Sequence, residues 1–387
     1  MISYGRQQIN QADIDAVLET LKSDFLTQGP MVPRFESSVA GYCGATHAVA
    51  VSNATAALHI ACMALDVGPG DYVWTSPISF VASANCALYC DAMVDFVDIN
   101  NETYNMDIEC LKEKLEEAKS ENKLPKVVIP VHLSGQSCEM AKIHDLAREY
   151  GFKVIEDASH AIGGKYLGTP IGDCRYSDIS VFSFHPVKII TTGEGGMALC
   201  NSPELAERMR QLRSHGTVRG SDKLQQRRPD EIWNYQQISL GFNYRLTDIQ
   251  AALGVSQMAR LDEFVAERHE VAQFYNHELD GLTIDIPRQH VDCHSSFHLY
   301  PIRIRLEESR MTQRQAYDAL RAAGIGVNLH YIPIYRQPYF EEMGFVAGYC
   351  PEAECYFRET LSIPMYPSLT QKKREHVTSQ LRKIFTP

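Results

Sequence analysis

Residues 127–159 read VVIPVHLSGQSCEMAKIHDLAREYGFKVIEDAS, and this stretch decides the fold. The apolar run 127–135 predicts a strand, residues 140–150 have the spacing of an amphipathic helix that Gly151 ends, and 152–159 predicts a second strand. A strand, a helix and a strand in immediate succession are typical of a unit in which the two strands run parallel. We therefore predict an α/β protein.

The same alternation continues on both sides of this unit. Further strands are predicted at 47–53, 71–77, 93–99, 178–185 and 197–200, and further helices at 55–65 and 109–123. Strands that alternate with helices of this length predict a mostly parallel sheet with helices on both faces. Ligands of such sheets bind at the carboxyl ends of the strands, and Asp157, Ser183 and Lys188 lie at or just beyond such ends.

The C-terminal third has a different pattern. The predicted order is a long helical region at about 248–279, a strand at 295–306, a helix at 312–324, a strand at 325–335 and a closing helix at 374–385. We predict two domains: residues 1–259 form an N-terminal segment and a large α/β domain, and 260–387 form a small α+β domain. The polar stretch 220–231 predicts a mobile surface loop.

Composition limits the classes of function. The chain has 387 residues, of which 44% are hydrophobic and 22% charged, as expected of a soluble globular protein. The polar start MISYGRQQINQADID predicts no secretory signal, and no apolar run reaches the ~20 residues of a membrane span, so we expect a cytoplasmic protein without a membrane partner. The net charge of −11 argues against nucleic acid as a partner.

Eleven cysteines occur without a C-x-x-C pair, which favours buried free thiols over disulfides or zinc ligands. Cys86 and Cys90 are four residues apart on a predicted helical face. His294 and His298 are also four apart, but on a predicted strand, where that spacing makes no metal pair. We expect no metal site.

The stretch SFHPVKIITTGEGG, residues 183–196, places Lys188 inside an apolar run and follows it with three glycines. Lys188 lies either at a strand or loop edge with its amine in water, or in a pocket where desolvation lowers the pKa and makes the amine nucleophilic. The glycines permit positive φ and a close backbone approach beside the lysine, although a plain hairpin would also use them.

Three other features could belong to the same site. Asp157 ends an apolar strand, so its carboxylate needs a partner: either the protonated pyridine nitrogen of an electron-withdrawing cofactor, or a helix end or ion pair. Thr55 stands where a strand passes into a helix, whose free N–H groups suit a phosphate, although Asn and Thr are also ordinary N-caps. Phe80 follows a strand end and either stacks on a flat heterocycle or belongs to the core.

Motifs along the chain carry a resemblance to a known family. They are SNAT (52–55), EDASH (156–160), SFHxxK with TTGEGG (183–196) and GFNYRLTDIQ (241–250). Together these motifs are similar to those of the DegT/DnrJ/EryC1/StrS sugar aminotransferases, and the resemblance covers essentially the whole chain. It implies a fold-type I pyridoxal-phosphate enzyme with a mostly parallel sheet flanked by helices and a smaller C-terminal α+β domain.

The resemblance also implies roles in a cofactor site. Lys188 would bind pyridoxal 5'-phosphate covalently and then transfer the proton of the reaction, Asp157 would hold the pyridinium nitrogen, and Phe80 would stack on the ring. The phosphate would be bound by Ala54, Thr55 and Ser183, together with Asn243 from a second subunit. His160 stands where relatives often have glutamine and would face the ring or its 3'-oxygen.

On the substrate side, the resemblance implies a nucleotide sugar. Its contacts would be Tyr4, Asp24, Phe25, Leu26, Thr27, Ala54, Ser183, Asn243, Asn328, Leu329, His330 and Tyr331. Read from the residues alone, His330 and Tyr331 are either hydrogen-bond donors that cover the cleft or core residues of a strand. Because the family shares its site across a subunit interface, a homodimer with a shared active site is implied.

The implied reaction moves an amino group from L-glutamate to C4 of a UDP-linked 4-keto-6-deoxy-N-acetylhexosamine, in pseudaminic acid biosynthesis. One alternative is a related aminotransferase with another sugar epimer or C3 regiochemistry. A second is a dehydratase, but the family's dehydratases replace the lysine by histidine, so Lys188 argues against it. The third is a non-catalytic regulatory homologue.

Overall fold

The computed structural model describes residues 1–219, 224 and 235–386. Its helices are α1 (Gln11–Leu21), α2 (Met31–Cys43), α3 (Ala54–Ala64), α4 (Ala82–Leu88), α5 (Ile108–Ser120), α6 (Met140–Tyr150), α7 (Pro203–Arg213), α8 (Asp248–Met258), α9 (Leu261–Glu278), α10 (Gln313–Ala322), α11 (Pro338–Glu341), α12 (Pro351–Glu359) and α13 (Gln371–Phe385). The loop predicted at 220–231 lies outside the described residues, apart from Leu224.

Strands alternate with these helices, most regularly in the first half of the chain. The strands of the whole described chain are β1 (His47–Val51), β2 (Tyr72–Thr75), β3 (Met93–Phe96), β4 (Val127–Ile129), β5 (Lys153–Asp157), β6 (Lys165–Tyr166), β7 (Thr169–Pro170), β8 (Ile179–Ser183), β9 (Gly196–Cys200), β10 (Thr217–Val218), β11 (Gln236–Gln237), β12 (Ile284–Asp285), β13 (Cys293–His294), β14 (Tyr300–Ile304) and β15 (Thr360–Ile363).

A seven-stranded sheet forms the centre, in the order β1-β9-β8-β5-β4-β2-β3. Strand β9 runs antiparallel to β1 and β8, and every other neighbouring pair is parallel. Each residue of β8 and β9 is buried. The prediction of a mostly parallel sheet is confirmed.

Helices cover both faces of this sheet. On β1, Val49 and Val51 pack into the core that contains α3 and α4, whereas Ala48 and Ala50 pack into the core that contains α2 and α8. Helices α5 and α6 cover the half of the sheet formed by β2, β4 and β5. Because side chains on both faces are buried, these strands are mostly apolar, which made them recognisable in the sequence.

Local signals fix where the helices begin and end. The Asn53 side chain accepts from the Ala56 N–H and so caps α3. Thr247 and Gln250 form a reciprocal capping box at the start of α8. Gly151 ends α6 with φ 83°, a left-handed conformation that glycine adopts without steric cost.

The predicted C-terminal elements need correction. The region 248–279 is two helices, since α8 ends at Met258 and α9 begins at Leu261. The strand predicted at 295–306 shrinks to β14, and the strand predicted at 325–335 does not form. Asn328 makes a single bridge to Ser362. The Asn328 side chain accepts a hydrogen bond from the Leu329 N–H, and Pro333 has no N–H. Neither Leu329 nor Pro333 can therefore donate a backbone hydrogen bond to a neighbouring strand, and a regular β-ladder does not form.

A smaller sheet, in the order β12-β14-β15, packs with α9, α10 and α13. The N-terminal segment reaches this unit, because Ile2 bridges to Ile325 and the Tyr4 carbonyl accepts from the Met365 N–H at 2.9 Å. The boundary predicted at 259/260 lies at the break between α8 and α9 and stays a prediction.

Other features of the described residues concern membranes, metals and cysteines. Across the described ranges, no helix combines the length and apolar composition needed to span a bilayer. Nor do the described residues bring together three or more side chains placed to hold a metal ion. All eleven cysteines are free thiols, most of them buried.

Candidate active site

A cleft of about 750 Å³ opens at the carboxyl ends of the parallel strands. Its lining includes the predicted residues Tyr4, Ala54, Thr55, Phe80, Asp157, His160, Ser183, Lys188, Asn328, Leu329, His330 and Tyr331. The structure therefore brings together twelve side chains that are widely separated in sequence. Strands β5 and β8 and the start of α3 supply one wall, and the segment 328–331 supplies the opposite one.

The start of α3 offers unpaired backbone donors to the cleft. Asn53 caps the Ala56 N–H, whereas the N–H groups of Ala54 and Thr55 meet no acceptor among the described residues. A Cβ on Gly196 would clash with the backbone of Asn53 and Ala54. Only glycine therefore allows β9 to pack this closely against the start of α3. Free N–H groups and the positive end of the helix dipole make this corner an anion site.

Asp157, the last residue of β5, is buried and aimed at the cleft. Its backbone is fixed, because its N–H donates to the Pro130 carbonyl and its carbonyl accepts from His132. The carboxylate accepts from the Ser159 N–H at 3.1 Å and from the Ser83 hydroxyl at 2.6 Å. It has no ion-pair partner in the described part of the chain, so the alternatives of an ion pair or a helix cap are wrong.

Lys188 lies in a turn after β8, where its N–H donates to the His185 carbonyl at 2.9 Å. The side chain is half-buried and opens onto the cleft. Burial lowers the pKa of Lys188 to about 8, although the charge of Asp157 acts in the opposite direction. The pocket alternative is thus the one observed, and a far larger fraction of this amine is neutral at physiological pH than of an exposed lysine.

His160 is buried and its tautomer is fixed. Its Nδ1 accepts from the Ser134 N–H at 3.3 Å, so in the neutral ring the proton sits on Nε2, which lies 3.2 Å from the Tyr331 hydroxyl. Burial and the nearby charge of Lys188 hold the pKa of His160 well below its usual value. His160 is therefore a neutral donor, and the Tyr331 hydroxyl that accepts from it keeps its own hydrogen for the cleft.

The opposite wall is polar and aromatic. Tyr4 and His330 pack with ring centroids 5.3 Å apart, and the His330 ring lies between Ser362 Oγ at 2.9 Å and the Asn328 side-chain amide at 3.1 Å. Burial lowers the pKa of His330 to about 3, so this ring is neutral. The alternative that His330 and Tyr331 belong to a β-strand core is wrong, because both line the cleft in a non-strand segment.

Phe80 is 60% exposed and lines the cleft, so the alternative of a core phenylalanine is wrong. Its face is available to a flat ring. Ser183, the last residue of β8, also faces the cleft.

Five predicted site residues do not line the cleft of their own chain. They are Asp24, Phe25, Leu26, Thr27 and Asn243, and all five are exposed. Thr27 bridges to Thr247, and Asn243 bridges to Ser214. Thr247 is the N-cap residue of α8, and Asn243 precedes it in the chain by four residues.

Several residues around the cleft escaped the sequence-based prediction, among them His298 and Ser83. His298 lines the cleft and packs on His160 with ring centroids 4.3 Å apart, and Ser83 holds Asp157 from behind. From the sequence alone, His298 is considered only as a metal ligand and is given no role in the cleft. Nothing in the sequence singles out Ser83, because a serine inside a short helix has no signature.

The chemistry of this cleft fits pyridoxal phosphate. The free N–H groups of Ala54 and Thr55 suit its phosphate, Asp157 suits a protonated ring nitrogen, and the depressed pKa of Lys188 suits an amine that attacks an aldehyde. His160 donates from Nε2 to the Tyr331 hydroxyl, which leaves the hydrogen of that hydroxyl free to bond an anionic ring oxygen.

Comparison with known proteins gives the same result. The family model of the DegT/DnrJ/EryC1/StrS aminotransferases matches residues 7–382. A Campylobacter jejuni protein named UDP-4-amino-4,6-dideoxy-N-acetyl-beta-L-altrosamine transaminase is 37% identical over 389 residues, which cover 99% of this chain and 97% of the relative.

Solved structures show the same fold. Helicobacter pylori PseC, described as an aminotransferase involved in the biosynthesis of pseudoaminic acid, has a TM-score of 0.89 at 30% identity and covers 99% of each chain. A Streptococcus pneumoniae protein described as a sugar aminotransferase, in its PLP form, has a TM-score of 0.88 at 27% identity over 99% of this chain and 98% of that one. The chain therefore belongs to the DegT/DnrJ/EryC1/StrS aminotransferase family and is a pyridoxal-phosphate-dependent sugar aminotransferase.

Proposed function

We propose that this enzyme transfers the amino group of L-glutamate to C4 of a UDP-linked 4-keto-6-deoxy-N-acetylhexosamine. The observation that carries the proposal is a lysine amine of depressed pKa beside Asp157, at the foot of a cleft large enough for a sugar. The choice of sugar is supported by the names of the Campylobacter relative and of the Helicobacter protein. The acceptor we propose is UDP-2-acetamido-2,6-dideoxy-β-L-arabino-hex-4-ulose, and the pathway is pseudaminic acid biosynthesis.

When bound, pyridoxal phosphate supplies an aldehyde that accepts the amino group and a positive ring that withdraws electrons. The residues of the chain do the rest. Ala54 and Thr55 would hold the phosphate through their N–H groups, Phe80 would stack on the ring, and Asp157 would hold the proton on the ring nitrogen.

Lys188 is the general acid–base. Its Nζ, partly neutral near pH 8, would move a proton from Cα of glutamate to the aldehyde carbon of the cofactor in the first half-reaction, and from that carbon to C4 of the sugar in the second. His160 donates from Nε2 and remains uncharged throughout, because its surroundings disfavour the imidazolium. Both half-reactions therefore use one mobile proton, on Lys188.

The opposite wall binds the sugar. Tyr4, Asn328 and Tyr331 present hydroxyl and amide groups beside apolar surface, the combination that fixes the orientation of a hydroxylated ring. Because His330 is held from both sides, it serves as a rigid support for Tyr4 rather than as a proton donor.

A homodimer with a shared active site is part of the proposal. Asn243 and residues 24–27 are exposed and lie outside the cleft of their own chain, so they are free to complete the cleft of a second copy. We also place the enzyme in the cytoplasm, because eleven free thiols suit a reducing compartment.

The test is incubation of the pure protein with L-glutamate and a panel of keto sugars. The panel contains UDP-linked 4-keto sugars of both C5 configurations, a 3-keto sugar and a GDP-linked 4-keto sugar. We expect 2-oxoglutarate to form only with a UDP-4-keto-6-deoxy-N-acetyl sugar, and NMR of the product to place nitrogen at C4. Nitrogen at C3, or preference for another nucleotide, would identify a related aminotransferase, and no turnover with any sugar would favour a regulatory homologue.

A further inference from the structure

Ser83 is a buried serine in α4 that does not line the cleft, yet it contacts the central acid of the site. Its Oγ lies 2.6 Å from Asp157 Oδ2 and 2.7 Å from Ser79 Oγ. Ser83 has no exposed surface, and Ser79 and Asp157 are 5% exposed. Three buried oxygens thus form a continuous chain that ends on a carboxylate.

The direction of the hydrogen bonds in this chain is decided by the carboxylate. An ionised Asp157 can only accept, so the Ser83 hydroxyl donates to Oδ2, and Ser79 in turn donates to Ser83. A distance of 2.6 Å is typical of a charge-assisted O–H···O⁻ bond. Each donor polarises the next, which strengthens the bond to Asp157.

The second oxygen of Asp157 is held from another direction, by the Ser159 N–H at 3.1 Å. The backbone of Asp157 is already fixed by Pro130 and His132, so rotation of the carboxylate is the freedom that remains. Two donors, one on each oxygen, remove that rotation.

We propose that Ser83 is a positioning residue, which orients the Asp157 carboxylate toward the ring nitrogen of the cofactor so that the carboxylate can hold the proton on that nitrogen. The inference rests on the use of pyridoxal phosphate, which the family establishes, and not on the sugar proposed above. Its failure and a failure of the sugar assignment are therefore distinguishable.

The main test is a double-mutant cycle on cofactor binding to the apoprotein. Dissociation constants of pyridoxal phosphate are measured for the wild type, Ser83→Ala, Asp157→Asn and the double variant. We expect Ser83→Ala to weaken binding about tenfold and Asp157→Asn about a hundredfold. If Ser83 acts through Asp157, the double variant matches Asp157→Asn within about twofold.

The chain offers a matched control in Ser180. This serine lies on β8 with no exposed surface, and its hydroxyl has no hydrogen-bond partner in the described residues. Ser180→Ala likewise removes a fully buried serine hydroxyl, but without removing a hydrogen bond, so we expect cofactor binding within about twofold of the wild type.

A second measurement reports whether the ring nitrogen of the cofactor is protonated. With cofactor labelled with ¹⁵N in the ring, we expect the wild type to show a protonated nitrogen and Ser83→Ala to show a resonance moved toward neutral pyridine, while Ser180→Ala stays at the wild-type position. A merely structural serine would not move this resonance. Ser83→Cys, similar in volume but a weak donor, should give an intermediate position.

Three outcomes would overturn the proposal. One is a double variant in which the losses of cofactor-binding free energy from Ser83→Ala and Asp157→Asn add. Another is an unmoved ¹⁵N resonance in a folded Ser83→Ala protein. The third is loss of the folded state, by circular dichroism, in both Ser83→Ala and Ser83→Cys, because that would make Ser83 a residue of the core.

Discussion

The two walls of the cleft are built differently. The first wall, which receives the cofactor, consists of strand ends and a helix start: Asp157 ends β5, Ser183 ends β8 and Ala54 begins α3. The second wall, formed by Tyr4 and residues 328–331, consists of irregular chain held by side-chain hydrogen bonds. Regular elements fix the reacting groups within a rigid sheet, whereas irregular segments carry the contacts that distinguish one sugar from another.

This difference predicts different consequences for changes in the two walls. A change in the first wall should abolish chemistry or cofactor binding, since one rigid arrangement serves every substrate. A change in the second wall should alter substrate affinity and leave the cofactor in place.

The largest effect should come from Lys188→Ala. The variant loses both the amine that binds the cofactor and the proton carrier, so we expect kcat to fall by on the order of 10⁴-fold or more. The measurement is 2-oxoglutarate formation from glutamate in single turnover. Lys165→Ala, which removes an exposed lysine on β6, is the control and should keep full activity. Substantial turnover by Lys188→Ala would contradict the role given to the first wall.

A smaller effect should follow from Gly196→Ala. The new Cβ would meet the backbone of Asn53 and Ala54, so the start of α3 must shift away from β9. Such overpacking costs about 1–3 kcal/mol, and we expect at least about tenfold weaker binding of pyridoxal phosphate to the apoprotein. Gly41→Ala, where a Cβ meets no atom within 4 Å, is the matched control. Unchanged affinity in Gly196→Ala would show that the helix start does not hold the phosphate.

The pH dependence of cofactor loading should report the pKa of Lys188. Below about 8 the amine is mostly protonated, so the loading rate should rise about tenfold per pH unit and level off above the pKa. The measurement is stopped-flow absorbance on apoprotein, corrected by the rate for Nα-acetyl-lysine under the same conditions. A rate that keeps rising to pH 10 would indicate an ordinary, solvated lysine.

The smallest effect should come from the second wall, in Tyr4→Phe. Burial raises the pKa of this phenol and Asn328 acts in the opposite direction, so the hydroxyl is protonated and able to donate. Loss of one neutral hydrogen bond should raise KM for the sugar about three- to tenfold, with kcat and cofactor affinity unchanged. Tyr42→Phe, which removes a hydroxyl bonded to Asp262 on α9, is the control. A fall in kcat with constant KM would place Tyr4 in the first wall instead.

The same contrast explains what the sequence could predict. The residues of the first wall could be predicted from local sequence patterns. A buried parallel strand is mostly apolar, and its last residue, such as Asp157, lies at the edge of the sheet where ligands bind. The prediction for 325–335 failed because its apolar residues have the composition of a strand, while the side-chain bond from Asn328 and the missing donor of Pro333 prevent one. Composition does not report either effect.

By residue type alone Phe80 could lie in the core or at the cleft. It is exposed at the cleft, in agreement with the position that the resemblance implies, while its stacking on the cofactor remains a prediction. Ser83 could not be predicted, since its partner Asp157 is 74 residues away in sequence and only the fold brings them together. The roles of Asn243 and of residues 24–27 depend on a second subunit and remain predictions.

The central claim is that the Lys188 amine forms a covalent bond with the cofactor. The most direct measurement is reduction of the loaded enzyme with borohydride, followed by proteolysis and mass spectrometry of the peptides. The account predicts one pyridoxyl-phosphate adduct per chain, on Lys188. An adduct on a different lysine, or none in an enzyme that turns over, would contradict it.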